Sequence, residues 1–266
     1  MQSYWRRFRK NKFFLLTYFF LSLCAFITID YLLLLRIEGS LTDFLMGPFS
    51  FNGLYLLPLG LIIGVQIPAL MHNCVHGNLK PRWMNILAGE LAGVYILLGM
   101  AAFEINHRMH HVYADTDLDP HNPEGKKFFK FFFANNFGGT EPVLRKHLEF
   151  HGDTKANRLI FKGIVLFHFL NVPARIFLWV MLLGPDLFLT FFVPSYLFHM
   201  FVFAHINYYT HKSLPDGTNE VYNMNSNLYY KFVNYFGSGV YYHKNHHKNP
   251  NIYNPMLGPS NSSFIK

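Results

Sequence analysis

The residues best equipped for chemistry are histidines, fifteen in a chain of 266 residues. Nine of them fall into four short groups: His72-Asn-Cys-Val-His76, His107-Arg-Met-His110-His111, Asn207-Tyr-Tyr-Thr-His211 and His243-Lys-Asn-His246-His247. Helical residues three or four apart share a face at roughly 5–6 Å, so each spacing can aim two side chains at one point. Adjacent residues such as His110 and His111 lie about 100° apart around a helix. Both can bind metal only if they serve different ions. Two such doubled groups favour two metals over one, and nine histidines exceed the three or four protein ligands typical of a mononuclear zinc site. Imidazole suits zinc, copper, iron and nickel, which leaves the metal open. The remaining His121, His147, His151, His168, His199 and His205 are expected to be ordinary surface or core histidines.

The elements that must position these groups are those of a membrane protein. The chain is 51% hydrophobic and only 14% charged, where soluble domains carry about 25% charged residues. It has no linker-like tract or repeat, and one domain over residues 1–266 is expected. Cys24 and Cys74 lie in or beside apolar runs and read as small hydrophobes, so no disulfide framework is indicated. The net charge of +8 is not a nucleic-acid signal: five of the 23 basic residues fall in the first twelve positions, and no basic stripe interleaved with aromatics follows.

Residues 13–35 form a nearly unbroken apolar run, long enough to span a bilayer. A second run, 51–71, leads into His72. The segment 86–103 contains Glu90 and several glycines and is expected to be interfacial or re-entrant. Two further runs, 163–183 and 187–206, are divided by Gly184-Pro185-Asp186, a turn-forming tripeptide; together they read as a helical hairpin. Arg175, inside its first arm, is expected to snorkel or face the protein interior. The expected fold is all-α, with about four transmembrane helices and a helical cap carrying the histidines. Arg6, Arg7, Arg9, Lys10 and Lys12 precede the first span, whereas the connector at 36–50 carries only Arg36. By the positive-inside rule both termini and every histidine group then face the cytoplasm. Phe128, Phe129, Phe131, Phe132 and Phe133, with Lys126, Lys127 and Lys130, read as a helix dipped among lipid headgroups.

The order HxxxH, HxxHH, HxxHH resembles that of membrane fatty acid desaturases. His107 to Pro123, HRMHHVYADTDLDPHNP, is similar to the second-box region of acyl-CoA desaturases, and Gly237 to His247, GSGVYYHKNHH, to the third-box region. Asn207 and His211 match the isolated Asn and His that precede that third box. The resemblance implies two irons held by His72, His76, His107, His110, His111, His211, His243, His246 and His247, with Asn207 contacting metal through water. It further implies O2 as co-substrate, a lipid or acyl substrate, and an external electron donor of cytochrome b5, ferredoxin or rubredoxin type, since no HPGG-type haem motif is present. The implied reaction is acyl desaturation; hydroxylation or ketolation of a lipid, sterol or terpenoid is the alternative, and divalent-metal transport a distant one. Metal-bound histidines need acceptors for their second ring N–H, and Glu104, Asp115, Asp117 and Asp119 are the candidates.

Overall fold

A computed structural model describes residues 3–258 except 215 and 217. The elements run α1 (Tyr4–Lys10), α2 (Phe14–Leu34), α3 (Leu41–Leu45), α4 (Leu57–His76), α5 (Trp83–Tyr95), α6 (Met100–Tyr113), α7 (Phe128–Phe137), α8 (Thr140–His151), α9 (Lys155–Leu187), α10 (Val193–Thr210), a short antiparallel pair β1 (His211–Ser213) and β2 (Asn219–Val221), α11 (Leu228–Phe236) and α12 (His243–Lys248). The protein is thus a helical membrane protein, as expected. Three helical segments, residues 14–34, 52–76 and 155–210, are long and apolar enough to cross a membrane.

The last of these is two crossings. Gly184 is non-helical, with φ 72° and ψ 160°, a conformation open to glycine. Trp179 and Phe192 stack at 4.9 Å between ring centroids. Thirteen residues of straight helix would separate them by about 20 Å, so the chain reverses between them. Asp186 at the reversal accepts hydrogen bonds from the backbone N–H groups of Ser50 (3.3 Å) and Phe51 (3.2 Å), tying it to the start of the α4 segment. The expected hairpin is therefore present, although its first arm starts earlier than the apolar run, at Lys155. Thr154 caps that start by accepting from the Asn157 N–H.

α4 and α10 approach closely because the residues between them are small. Ser195 donates to the Gly60 carbonyl at 2.6 Å, and a Cβ on Gly64 would stand 2.6 Å from the Ser195 carbonyl oxygen. Without a hydrophobic drive between helices in lipid, such small-residue contacts hold a bundle together. α5 and α6 meet at a 99° bend, the geometry of either a broken span or a re-entrant loop. Arg175 reaches in from α9 and donates to the Gly93 carbonyl at 2.6 Å, while its guanidinium covers the Phe26 ring; the Trp179 indole donates to the Val94 carbonyl at 3.0 Å. Arg175 therefore faces the protein interior.

α7 presents Phe129, Phe133 and Phe137 outward at four-residue spacing and buries Phe131 against Tyr208. Lys127 and Lys130 are exposed beside them, whereas the Lys126 ammonium is tied to the Asn122 carbonyl at 2.6 Å. Exposed phenylalanines and lysines therefore share the outer surface of this helix.

Gly64→Val is expected to cost about 1–3 kcal/mol through overpacking against α10. That cost should lower the thermal midpoint of the detergent-solubilised protein, and a midpoint equal to that of wild type would refute the close α4–α10 contact.

Candidate metal centre

Helix ends bring the histidines together. His72 and His76 occupy the last turns of α4, which Gly77 terminates in the left-handed region with φ 74°. His107, His110 and His111 lie on α6, and His243, His246 and His247 on α12. His211 is the first residue beyond α10, in extended conformation at the start of β1. A strand rather than a helix therefore aims this one ring.

The nine rings form two sets. His72, His76, His107, His111 and His246 make one, and His110, His211, His243 and His247 the other; within each, one candidate ligand atom per residue lies within 4.8 Å of all the rest. Both doubled pairs divide: His111 and His246 go to the first set, His110 and His247 to the second. Within the first set, Nε2 atoms approach at 3.0 Å (His72–His246), 2.8 Å (His76–His107), 3.0 Å (His107–His111) and 2.8 Å (His111–His246). In the second, His243 and His247 approach at 3.1 Å. Two nitrogens each about 2.1 Å from one ion and at right angles to each other stand about 3.0 Å apart, so these separations suit rings sharing an ion.

The protonation pattern agrees. The His110 Nδ1 lies 3.0 Å from both Asp119 oxygens, and the His211 Nδ1 lies 3.0 and 3.2 Å from those of Asp115. A carboxylate only accepts, so in both rings Nδ1 carries the hydrogen and Nε2 presents a bare lone pair. Those two Nε2 atoms are buried and have no partner in the protein, which is what a metal would supply. Asp119 is itself held by the backbone N–H groups of Asp115 (3.0 Å) and His121 (2.8 Å). Burial pushes its carboxyl above the ordinary carboxylate range, and those backbone donors pull in the other direction. Burial, reinforced by neighbouring imidazoles, holds His243, His246 and His247 well below the ordinary histidine value of 6.5. They stay neutral, as ligands must.

Two of the expected acceptors lie elsewhere. Glu104 accepts from the Tyr4 N–H (3.1 Å) and from Arg108 Nε (2.8 Å), docking α1 onto α6. Asp117 pairs with Arg145 at 2.7 Å on the surface. Both carboxylates are thus taken up by partners other than imidazoles. Asn207 is buried on α10, its Nδ2 donating to the Phe203 carbonyl at 3.0 Å. It borders a cavity of about 60 Å³ that also touches His72, His107, His243 and His246.

Two histidines expected to be ordinary adjoin the centre. His121 packs 5.5 Å from His110, and His199 lines the cavity beside the first set. His121 stands in the Asp-Pro-His-Asn stretch, where its proximity to His110 was a usable signal; His199 carried none. His147 and His151 pair with each other at 4.9 Å against Phe8, and the His205 Nδ1 meets the Tyr241 hydroxyl at 2.7 Å.

Fold and site together define a helical membrane protein with two histidine clusters, each of which could hold a metal ion. The chain belongs to the fatty acid desaturase family, whose model matches residues 48–259. Membership implies an oxidoreductase acting on lipid. No curated protein and no solved structure matches the chain.

Asp119→Asn, which keeps shape and loses the acceptor charge, should weaken metal binding about 10–100-fold. Asp117→Asn should leave it unchanged; equal metal affinity in both variants would remove Asp119 from the site. A second expectation concerns pH. Because His243, His246 and His247 are depressed in the folded state, the unfolded chain binds more protons below about 6.5, so stability is present above that value and is lost as the pH falls through it. Metal content should fall in the same direction. A metal-free thermal midpoint unchanged between about pH 7.5 and 5 would contradict neutral buried rings.

Proposed function

We propose that the protein carries out O2-dependent oxidation of a lipid acyl chain at a di-iron centre, with desaturation as the reaction. The observation that carries this reading is the division of the nine histidines into sets of five and four, with each doubled pair split between them. In this assignment His72, His76, His107, His111 and His246 hold one iron, and His110, His211, His243 and His247 the other. Asn207 reaches the metals through water from the cavity wall.

Side-chain acids and nucleophiles cannot attack an unactivated C–H bond, and bound iron supplies the redox chemistry they lack. The chain's own residues do the placing. Asp119 and Asp115 fix the tautomers of His110 and His211, so that each directs Nε2 inward. Gly64, Val65, Pro68 and Ala69 of α4 give the cavity an apolar wall next to the histidines, suited to hydrocarbon. No Lys, Arg, Asp or Glu among the described residues lines it, so no fixed charge competes with the reacting carbon.

The domain is taken as the whole chain, 1–266, with both termini and the metal centre on the cytoplasmic side. The basic cluster Arg6, Arg7, Arg9, Lys10 and Lys12 ahead of α2 supports that orientation. Electrons come from a separate donor protein.

The test is lipid mass spectrometry of cells with and without the protein, alongside iron analysis of the purified protein. Desaturation appears as a loss of about two mass units and hydroxylation as a gain of about sixteen. His110→Ala and His246→Ala, one from each set, should each lose bound iron and product. Full activity with normal iron in both would overturn the assignment, and a gain of about sixteen would move the reaction to hydroxylation.

A further inference from the structure

The cavity beside the histidines, at about 60 Å³, is far smaller than the roughly 300–1,000 Å³ of ordinary ligand pockets. A second cavity of about 310 Å³ adjoins it. Phe103, His199 and Phe203 line both, so a bound molecule that crosses this shared wall passes from one to the other. One end of the larger cavity is apolar, against Phe19, Phe169 and Val172 in the membrane segments. Phe137 and Phe169 also reach the exterior, being 59% and 49% exposed.

The other end is polar and incomplete. Asn135 is 7% exposed, yet neither its Nδ2 nor its Oδ1 has a hydrogen-bond partner in the protein beyond His121. His121 faces it and interacts with the Asn135 side chain, and its Nδ1 has no other partner in the protein. On α6, Asn106 gives its Nδ2 to the Ala102 carbonyl at 3.0 Å and leaves Oδ1 buried and bare. All three residues line the larger cavity. His121 can satisfy only one end of the Asn135 amide, and an unmet buried polar atom is costly to keep; the other end of that amide and the bare Asn106 Oδ1 open onto the same space. No Lys, Arg, Asp or Glu among the described residues lines this cavity either. A phosphate or carboxylate would be stripped of water there without a countercharge, which is unfavourable. A neutral group that both donates and accepts, or only accepts, meets no such penalty.

We propose that the larger cavity binds the uncharged polar end of the lipid substrate, an ester, amide or hydroxyl, through Asn135 and Asn106. The hydrocarbon then passes Phe103 and Phe203 toward the histidines. This rests on the oxidation reading above and narrows it: the substrate is a neutral lipid rather than a free fatty acid or a coenzyme A thioester.

The test is equilibrium binding of radiolabelled methyl palmitate and hexadecanamide to the iron-loaded protein in phosphatidylcholine nanodiscs, with palmitate and palmitoyl-CoA as competitors. The neutral ligands should bind at least about tenfold more tightly than the charged ones. Asn135→Leu, close in size, should weaken neutral-ligand binding by about tenfold while leaving iron content intact. Should that variant fail to fold, Asn106→Leu carries the same binding expectation. Equal displacement by palmitoyl-CoA, or unchanged binding in the variants, would overturn the inference. Because binding is read without turnover, those results are distinct from an absence of lipid product, which would instead overturn the oxidation reading.

Discussion

Nine imidazoles crowded out of water can coexist only if they are neutral, and a set of them could share an ion only if each turned a lone pair, not a hydrogen, toward it. The rest of the structure follows from that requirement. Charged rings at these separations would repel one another in a medium that screens poorly, and burial already disfavours the charged form. Neutrality alone leaves two tautomers per ring. Asp119 and Asp115 select one of them for His110 and His211 by accepting from Nδ1, and the backbone of the 115–121 turn in turn fixes Asp119. That turn includes Asp115 with φ 62°, a conformation unusual for a residue other than glycine. Strain of this kind is tolerated where function requires it.

Bringing these rings together also needs a rigid frame, because they come from three helices and the start of a strand. α4 and α10 are locked by Gly60, Gly64 and Ser195. The bend between α5 and α6, which turns His107 to His111 toward α4, is pinned from α9 by Arg175 and Trp179. α1 is clamped to α6 by Glu104 accepting from the Tyr4 N–H, one turn before the first histidine of that helix. Contacts deep in the membrane region thus determine the separation of nitrogens at its edge.

Much of this was legible in the residue order. Histidine spacing together with the 100° step of a helix implied that adjacent histidines serve different ions, and His110 and His111 do part company in space, as do His246 and His247. Apolar runs located the spans, and Gly184-Pro185 located the reversal. Direction was what the order could not convey. Glu104, Asp115, Asp117 and Asp119 are alike in type and all close to the second histidine group, yet two hold imidazoles and two hold Arg108 and Arg145. Which way a carboxylate points depends on turn geometry and on partners brought from distant elements. His199 was invisible for the same reason: its place in the wall depends on how α10 packs on α4.

Unpartnered polar atoms in the interior separate into two kinds by their surroundings. His147 is fully buried with at most one ring nitrogen met, by the Asn157 backbone, but it packs against Phe8 and Phe161 and lines neither cavity. Nothing in the structure supplies it with a ligand, so orphaning alone does not make a site. The Nε2 atoms of His110 and His211 differ because each belongs to a set of four histidines whose candidate ligand atoms lie within 4.8 Å of one another. Asn106, His121 and Asn135 differ because they open onto the same space, and that space adjoins the histidines through Phe103 and Phe203. Convergence, rather than an unmet bond, is what distinguishes a binding group from a structural cost. By that criterion Asn106, His121 and Asn135 stand apart from His147, and the cavity they line shares its Phe103 and Phe203 wall with the cavity beside the histidines.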